Sequence, residues 1–198
     1  MKKGIYCLEN FWYPSVKNNL TIKPILELLD LAGICKHIYH KCATREEVEF
    51  MLNKWKIPSI QKQYPILYFA FHGRVERLYI NNKVSITLTV LGNLLENECS
   101  GKVFFFASCG TMDIHGKKVQ SLLQKTGAIA AIGYKTEVDW MKATAFELLV
   151  LNALQDDKFD SKGIEFIKHK IETEYGKLHN DLDFRMVVTN NHFPRRRK

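Results

Sequence analysis

The chain contains 198 residues, of which 46% are hydrophobic, and it carries a formal net charge of +8. This length suits one α/β domain with a full core, so we expect a single domain over residues 1–198. No run of 18 apolar residues occurs, which argues against a membrane-spanning helix. The positive charge is densest in residues 194–198, a short basic tail typical of a solvated end. No basic and aromatic residues interleave as they do in a nucleic-acid groove, so nucleic-acid binding is disfavoured.

Strands and helices alternate along the first half of the chain. The apolar runs predict strands at residues 3–9, 34–42 and 65–71. The first of these meets Glu9 before any long apolar region develops, so we interpret it as a strand rather than a signal peptide. Thr21 and Thr44 are candidate caps for the two intervening helices, and Thr44 has a glutamate at the third position after it. Two short runs around Asn81-Asn82 then predict a β-hairpin.

The second half of the chain continues the alternation. It predicts a helix at about 88–97, a strand at 102–108, a helix from Lys117 to Lys125, a strand at 128–134, helices from Asp139 to about 154 and at 161–176, and a last strand at Phe184–Val188. Such alternation predicts a mainly parallel sheet with helices on both faces. No G-x-G-x-x-G or G-x-x-x-x-G-K-[ST] motif follows any strand, so a dinucleotide or P-loop enzyme is disfavoured.

Two of the predicted strands end in a reactive side chain. Residues 65–71 lead into His72-Gly73, and residues 103–108 lead into Cys109-Gly110. Their apolar runs are continuous rather than alternating, which is typical of strands buried on both faces of a parallel sheet. In such sheets the chemistry gathers at the carboxyl ends of the strands. One right-handed crossover would make the two strands neighbours and bring His72 close to Cys109.

A histidine beside a cysteine suits nucleophilic catalysis, because an ordinary thiol is only a few per cent thiolate at neutral pH and gains from a base. The structural alternatives are a histidine hydrogen-bonded to its own loop and an inert buried thiol. The five cysteines are an odd number and include no C-x-x-C pair. They therefore indicate neither a disulfide framework nor a zinc knuckle, and a reducing cytoplasm is the expected setting.

Residues 69–73 (Phe-Ala-Phe-His-Gly) and 105–110 (Phe-Phe-Ala-Ser-Cys-Gly) resemble the His-Gly and Cys motifs of the caspase-like cysteine peptidases of clan CD. The hairpin between the two strands and residues 126–134 are most similar to the small bacterial and CHAT-type members. The resemblance covers roughly residues 1–155. It implies the caspase–haemoglobinase fold, a three-layer α/β sandwich around a mainly parallel sheet of about six strands.

The resemblance also implies a function. His72 and Cys109 would form the catalytic dyad, and the backbone N–H groups of Gly73 and Cys109 would stabilise the oxyanion. The expected partners are protein or peptide substrates, with no cofactor and no metal. So small a chain has little room for a sensor, so a partner protein, an oligomer or a nucleotide-derived activator is expected to gate it. Small bacterial relatives often act in anti-phage defence, which implies that context here.

This sequence also departs from the caspases. The signature Q-A-C-[RQG]-G is replaced by residues 107–111 (Ala-Ser-Cys-Gly-Thr), and the His-to-Cys gap is shorter than the roughly 50 residues of caspases. Aspartate specificity is therefore not supported. Glu137 and Asp139 follow the fifth strand, near where the family builds its substrate pocket, and either carboxylate suits a basic P1 side chain. The alternatives are an exposed Glu137 and, favoured for Asp139, a helix N-cap.

Two other classes of function compete with a cysteine endopeptidase. One is a catalytically silent caspase-like module that binds a nucleotide-derived signal or a protein partner. The other is a basic interaction protein that uses its tail and its lysines on nucleic acid.

Overall fold

The computed structural model describes residues 2–13, 17, 19–81 and 83–190, which form nine strands and eight helices. The strands are β1 (Ile5–Glu9), β2 (His37–Lys41), β3 (Ile66–Ala70), β4 (His72–Arg74), β5 (Arg77–Tyr79), β6 (Ser85–Thr87), β7 (Val103–Ala107), β8 (Ala130–Tyr134) and β9 (Phe184–Val188). The helices are α1 (Lys23–Leu31), α2 (Arg45–Trp55), α3 (Pro58–Gln63), α4 (Leu88–Leu94), α5 (Gly116–Thr126), α6 (Trp140–Ala153), α7 (Ser161–Glu174) and α8 (Gly176–Asp181). The basic tail at 194–198 and Asn82 of the predicted hairpin turn lie outside the described residues.

Six strands form the central sheet, in the order β2-β1-β3-β7-β8-β9. The first five run parallel to their neighbours, and β9 closes the edge antiparallel to β8. The predicted fold class, a mainly parallel sheet of about six strands between helices, is therefore confirmed. The crossover prediction is confirmed as well, because β3 and β7 are adjacent and paired in register.

The sheet is buried on both faces, which explains its continuous apolar strands. Every residue of β1, β3, β7 and β8 is buried. One face, with Tyr68 and Phe105, packs on α1, α6 and α7; the other, with Phe69 and Phe104, packs on α2, α4 and α5. Alternate side chains of each strand thus enter two separate cores. In the described part of the chain, no helix is long and apolar enough to cross a membrane.

A second sheet of three short antiparallel strands, in the order β4-β5-β6, lies between β3 and α4 in the chain. The predicted hairpin is its β5-β6 pair, and Asn81 stabilises the turn because its side-chain oxygen accepts from the N–H groups of Lys83 and Val84. The strand β4 was not predicted, and it begins with His72. Its three residues carry no periodicity of their own and are ordered by pairing with β5.

The helix caps show one agreement and one difference. Thr44 and Glu47 form the predicted capping box of α2. Thr21 does not cap α1 as predicted: the N-cap is Ile22, without a side-chain cap, and the Thr21 hydroxyl donates to Glu9 instead. The oxygen of the same hydroxyl accepts from Lys23 N at 3.2 Å, so Thr21 joins the buried carboxylate to the first residue of the helix.

Candidate active site

His72 and Cys109 follow the ends of two neighbouring strands. Ala70 of β3 pairs with Ala107 of β7, and each reactive residue lies two positions further along its own chain segment. Both residues line one pocket of about 220 Å³ at the carboxyl edge of the central sheet. His72 is exposed, and Cys109 is half-buried. The structure thus places a thiol and an imidazole on the lining of one pocket, an arrangement that a nucleophile and its base would need.

The pocket exists because two strands end in alanine. Tyr68 and Phe105 pair across β3 and β7 with ring centroids 4.8 Å apart, and they fill this face of the sheet. Ala70 and Ala107 form the next pair on the same face and line the pocket. Because methyl side chains replace aromatic rings there, a cavity opens above the aromatic pair.

Backbone and hydroxyl hydrogen bonds hold the loop that carries Cys109. Gly110 N donates to Thr136 O, and Met112 N donates to Tyr134 O, each at 3.0 Å. The hydroxyls of Ser108 and Thr111 lie 2.7 Å apart, and both side chains are buried. Gly110 has φ +63°, a left-handed conformation that glycine adopts without strain. The loop is thus fastened to the end of β8, and the thiol is presented from a fixed backbone.

A backbone carbonyl orients His72. The imidazole Nε2–H donates to Trp12 O at 2.6 Å, which leaves Nδ1 as the unprotonated nitrogen of the neutral ring. The indole of Trp12 also lies edge-on to the imidazole, with ring centroids 5.2 Å apart, and Tyr13 flanks it at 6.4 Å. This bond does not go to the histidine's own loop, as the structural alternative expects, but to a segment 60 positions away, and it leaves one ring nitrogen able to accept a proton.

Glu9 fastens the segment that orients His72. Its side chain is fully buried at the end of β1, and its oxygens accept from Trp12 Nε1 at 2.6 Å, Ile22 N at 2.8 Å and Thr21 Oγ1 at 2.7 Å. The hydroxyl of Tyr39 on β2 donates to the same carboxylate, and burial with this bond raises the pKa of that phenol. One buried carboxylate thus joins β1, β2, the start of α1 and the residue whose carbonyl contacts His72.

A second buried carboxylate, Glu147 of α6, also lines the pocket. It is 4% exposed, and it accepts hydrogen bonds from the hydroxyls of Tyr134, at 3.0 Å, and Tyr68. Burial disfavours its charged form and raises its pKa to about 7, although the two hydroxyls act in the opposite direction. The sequence analysis missed Glu147, yet a signal exists: it is the only acidic residue in the largely apolar helix α6.

The raised pKa of Glu147 predicts a pH-dependent stability. Because the folded state binds this proton more tightly than the unfolded state, the stabilisation is complete below about pH 4.5 and is lost as the pH rises to about 7. The loss amounts to about 3 kcal/mol. Glu147→Gln should lack this component, so the difference in free energy of unfolding between wild type and variant should change with pH. Urea titrations at pH 4.5 and 8 measure it, and a constant difference would contradict the prediction.

Gly73 lies directly against the nucleophile loop. A β-carbon built on it would lie 2.2 Å from Thr111 Oγ1, 2.6 Å from Cys109 O and 2.8 Å from Ser108 Cβ. These distances are too short for any side chain, so the residue after His72 must be glycine for the two segments to meet. The same contacts show that Gly73 lies against the backbone carbonyl of Cys109.

We expect Gly73→Ala to lower the free energy of unfolding by about 1–3 kcal/mol, because the loop must move to admit the methyl group. Gly176→Ala is the matched control, since no atom lies within 4 Å of a β-carbon at that helix start. This control should change stability by less than about 1 kcal/mol. Urea denaturation of both variants tests the contact, and equal effects would show that the close approach is absent in solution.

The two residues suggested for substrate binding are placed differently. Glu137 is exposed and lines the pocket. The side chain of Asp139 accepts from Lys142 N at 2.9 Å and is the N-cap of α6, the favoured alternative for it. Asp139 is not among the residues that line the pocket. Within the described residues, no group of three or more His, Cys, Asp or Glu side chains is arranged to hold a metal ion.

The six-stranded sheet between two helical layers is a caspase-like fold. A solved structure, the crystal structure of the Drosophila initiator caspase Dronc, is similar with a TM-score of 0.59 and 11% sequence identity, covering 94% of this chain and 79% of that chain. No curated protein matches the sequence. Residues 2–188 match the model described as "Family of unknown function (DUF6642)". The chain belongs to that family, and at 11% identity the likeness to Dronc establishes the fold alone.

Proposed function

We propose that the protein is a cysteine endopeptidase that uses Cys109 as nucleophile and His72 as base. The observation that carries this proposal is the pocket into which both residues open after the paired ends of β3 and β7. His72 already has its Nε2–H engaged by Trp12 O, so its remaining nitrogen, Nδ1, is available for the thiol proton. This combination of nucleophile, base and orienting acceptor is what acyl transfer requires.

The reaction proceeds in two halves. Cys109 Sγ attacks the scissile carbonyl carbon while its proton passes to His72 Nδ1; the C–N bond then breaks, and the amine leaves with that proton. Water attacks the resulting thioester, again with His72 as base, and releases the acid and the free thiol. The oxyanion is stabilised by the N–H groups of Gly73 and Cys109. In support, the Cys109 N–H donates to no backbone carbonyl in the described part of the chain.

The finer points of the proposal follow from the site and from the resemblance. An acidic pocket lining, Glu137 at the surface and Glu147 within, favours a basic P1 side chain. By resemblance to the small bacterial and CHAT-type members, we propose a gated effector of anti-phage defence. Its trigger would be a partner protein, an oligomer or a nucleotide-derived activator.

Labelling with peptidyl acyloxymethyl ketones tests the proposal. An arginyl ketone should modify the protein once, at Cys109, and an aspartyl ketone should react more slowly. The other four cysteines are buried, and burial raises the pKa of Cys35 to about 11 and of Cys42 to about 12, so they serve as internal controls. Intact-mass and peptide mass spectrometry report both the number of adducts and their position.

Two results would contradict the peptidase. Modification of several cysteines would indicate nonspecific thiol reactivity in a partly unfolded protein. No modification of Cys109 by either ketone, with a candidate activator present or absent, would favour the catalytically silent module. In that case the pocket would serve a ligand or a partner rather than a peptide bond.

A further inference from the structure

Glu147 lines the same pocket as Cys109, and its carboxylate has no cationic partner among the residues that the structure describes. Glu147 is 4% exposed, and each of its oxygens accepts one tyrosine hydroxyl, from Tyr68 on β3 and from Tyr134 on β8. A carboxylate offers about four acceptor positions, so both oxygens keep capacity for a further donor. The described lining of the pocket contains no lysine and no arginine.

The groups that face Glu147 leave its charge uncompensated. They are the phenols of Tyr68 and Tyr134 and the Cys7 thiol of β1, whose own pKa is raised by burial and then by the charges of Glu9 and Glu147. Glu137 and His72, which also line the pocket, are both exposed. A buried carboxyl among such neighbours is held partly neutral near pH 7, and a cation brought beside it would favour ionisation.

The size of the pocket indicates what enters it. At about 220 Å³ it is smaller than the ~300–1,000 Å³ typical of sites that enclose a whole small-molecule ligand. One long side chain is a better match than a nucleotide. The alanines at 70 and 107 leave the space between the Cys109 loop and Glu147 open. A side chain that enters there, beside a scissile bond at Cys109, would meet Glu147 at the inner end.

We propose that Glu147 is the specificity-determining residue of this pocket and that it binds the guanidinium or ammonium group of a P1 arginine or lysine. The assignment rests on the proposed peptidase function and replaces Glu137 and Asp139 as the principal acid. Glu137 is exposed, where ion pairs contribute little, and Asp139 is engaged as a helix cap. The two tyrosine hydroxyls fix the carboxylate, so the cation meets a preorganised acceptor.

Binding of two small probes tests this without turnover. Nα-acetyl-arginine amide and Nα-acetyl-citrulline amide have nearly the same shape, and only the first is charged. Calorimetry on Cys109→Ala protein should give a Kd at least about 30-fold lower for the arginine amide. Adding Glu147→Gln should abolish the preference, while adding Glu165→Gln, an exposed acid of α7 with the same charge change, should preserve it. A preference that survives Glu147→Gln, or that is lost in Glu137→Gln instead, overturns the assignment.

The pH dependence of amide binding tests the proposal without a substitution at Glu147. Since the ionised carboxylate binds the cation, affinity for the arginine amide should rise about 30-fold between pH 5.5 and 8 and level off above a pKa of about 7. The citrulline amide should show no such rise. Equal binding of the two amides at pH 8, or parallel pH profiles, overturns the proposal.

Ketone labelling separates the role of Glu147 from the proposed peptidase function. If Cys109 reacts but the two amides bind equally, only the role of Glu147 fails. If Cys109 does not react, the peptidase function fails.

Discussion

Replacing Cys109 with alanine is expected to lower kcat/KM for an arginyl peptide substrate by at least about 10⁴-fold, because the pocket then lacks its thiol nucleophile. His72→Ala should cause a loss of similar order, since the thiol then lacks its base. The double variant should be no worse than Cys109→Ala alone, because the two residues act as one unit. Initial rates with a fluorogenic peptide, in the presence of any activator identified, measure all three.

Cys99→Ala is the matched control for this prediction. Cys99 is fully buried between α4 and β7, away from the pocket, and it undergoes the same atomic change. It should retain kcat/KM within about threefold, although it loses some stability as a core substitution. Hydrolysis that persists in Cys109→Ala, or that falls equally in Cys99→Ala, would rule out Cys109 as the nucleophile. A multiplicative loss in the double variant would show that His72 acts independently of the thiol.

The sheet could be predicted because its information is local. A strand buried on both faces has to be apolar throughout, and residues 66–70 and 103–107 satisfy this without reference to any partner. The adjacency of the two strands could also be predicted, because a single right-handed crossover between parallel strands leaves few other positions for the second strand. The capping box at Thr44 and the end of α5 at Gly127, which has φ +79°, are equally local.

The pocket could not be predicted in the same way, because its parts meet only in the folded chain. Trp12 O contacts His72 across 60 positions, and Glu147 meets Tyr68 across 79. No periodicity encodes which tyrosine hydroxyl will find which carboxylate. The sequence does show two acidic residues in otherwise apolar segments. Glu9 ends an apolar strand and Glu147 interrupts an apolar helix, and a lone acid in such a run has to find buried donors.

The three-stranded sheet could be predicted only in part. Its β5-β6 hairpin was predicted from a turn and two short runs, whereas β4 was not, because its three residues are held in place by pairing with β5. That pairing matters for the site. It carries Gly73 against Cys109 O and sets where the backbone leaves His72. The sequence analysis ended the strand before His72. It therefore identified the histidine but missed the pairing of β4 with β5, which places Gly73.

Glu9→Ala is expected to lower the free energy of unfolding by about 3–5 kcal/mol, because it removes the shared acceptor of four donors on three segments. Glu9→Gln should cost less, about 1–2 kcal/mol. Its amide oxygen still accepts from Trp12 Nε1 and Ile22 N, while the hydroxyls of Thr21 and Tyr39 can turn to accept from its NH₂ group. Guanidinium denaturation with linear extrapolation measures both values.

Glu9→Ala should also impair catalysis, since the Trp12 indole donates to Glu9 and the Trp12 carbonyl accepts from His72. We expect kcat to fall by about 10²-fold in Glu9→Ala, because the base loses its orientation. KM should rise as well, because Trp12 and Ile22, which donate to this carboxylate, both line the pocket. Tyr39→Phe is the matched control: it removes one of the four donors without touching Trp12, so it should cost about 1 kcal/mol and leave kcat within about threefold. If Glu9→Ala lowered stability without lowering kcat, Trp12 would not depend on the carboxylate for its position. The orientation of His72 would then come from the aromatic contacts with Trp12 and Tyr13 alone.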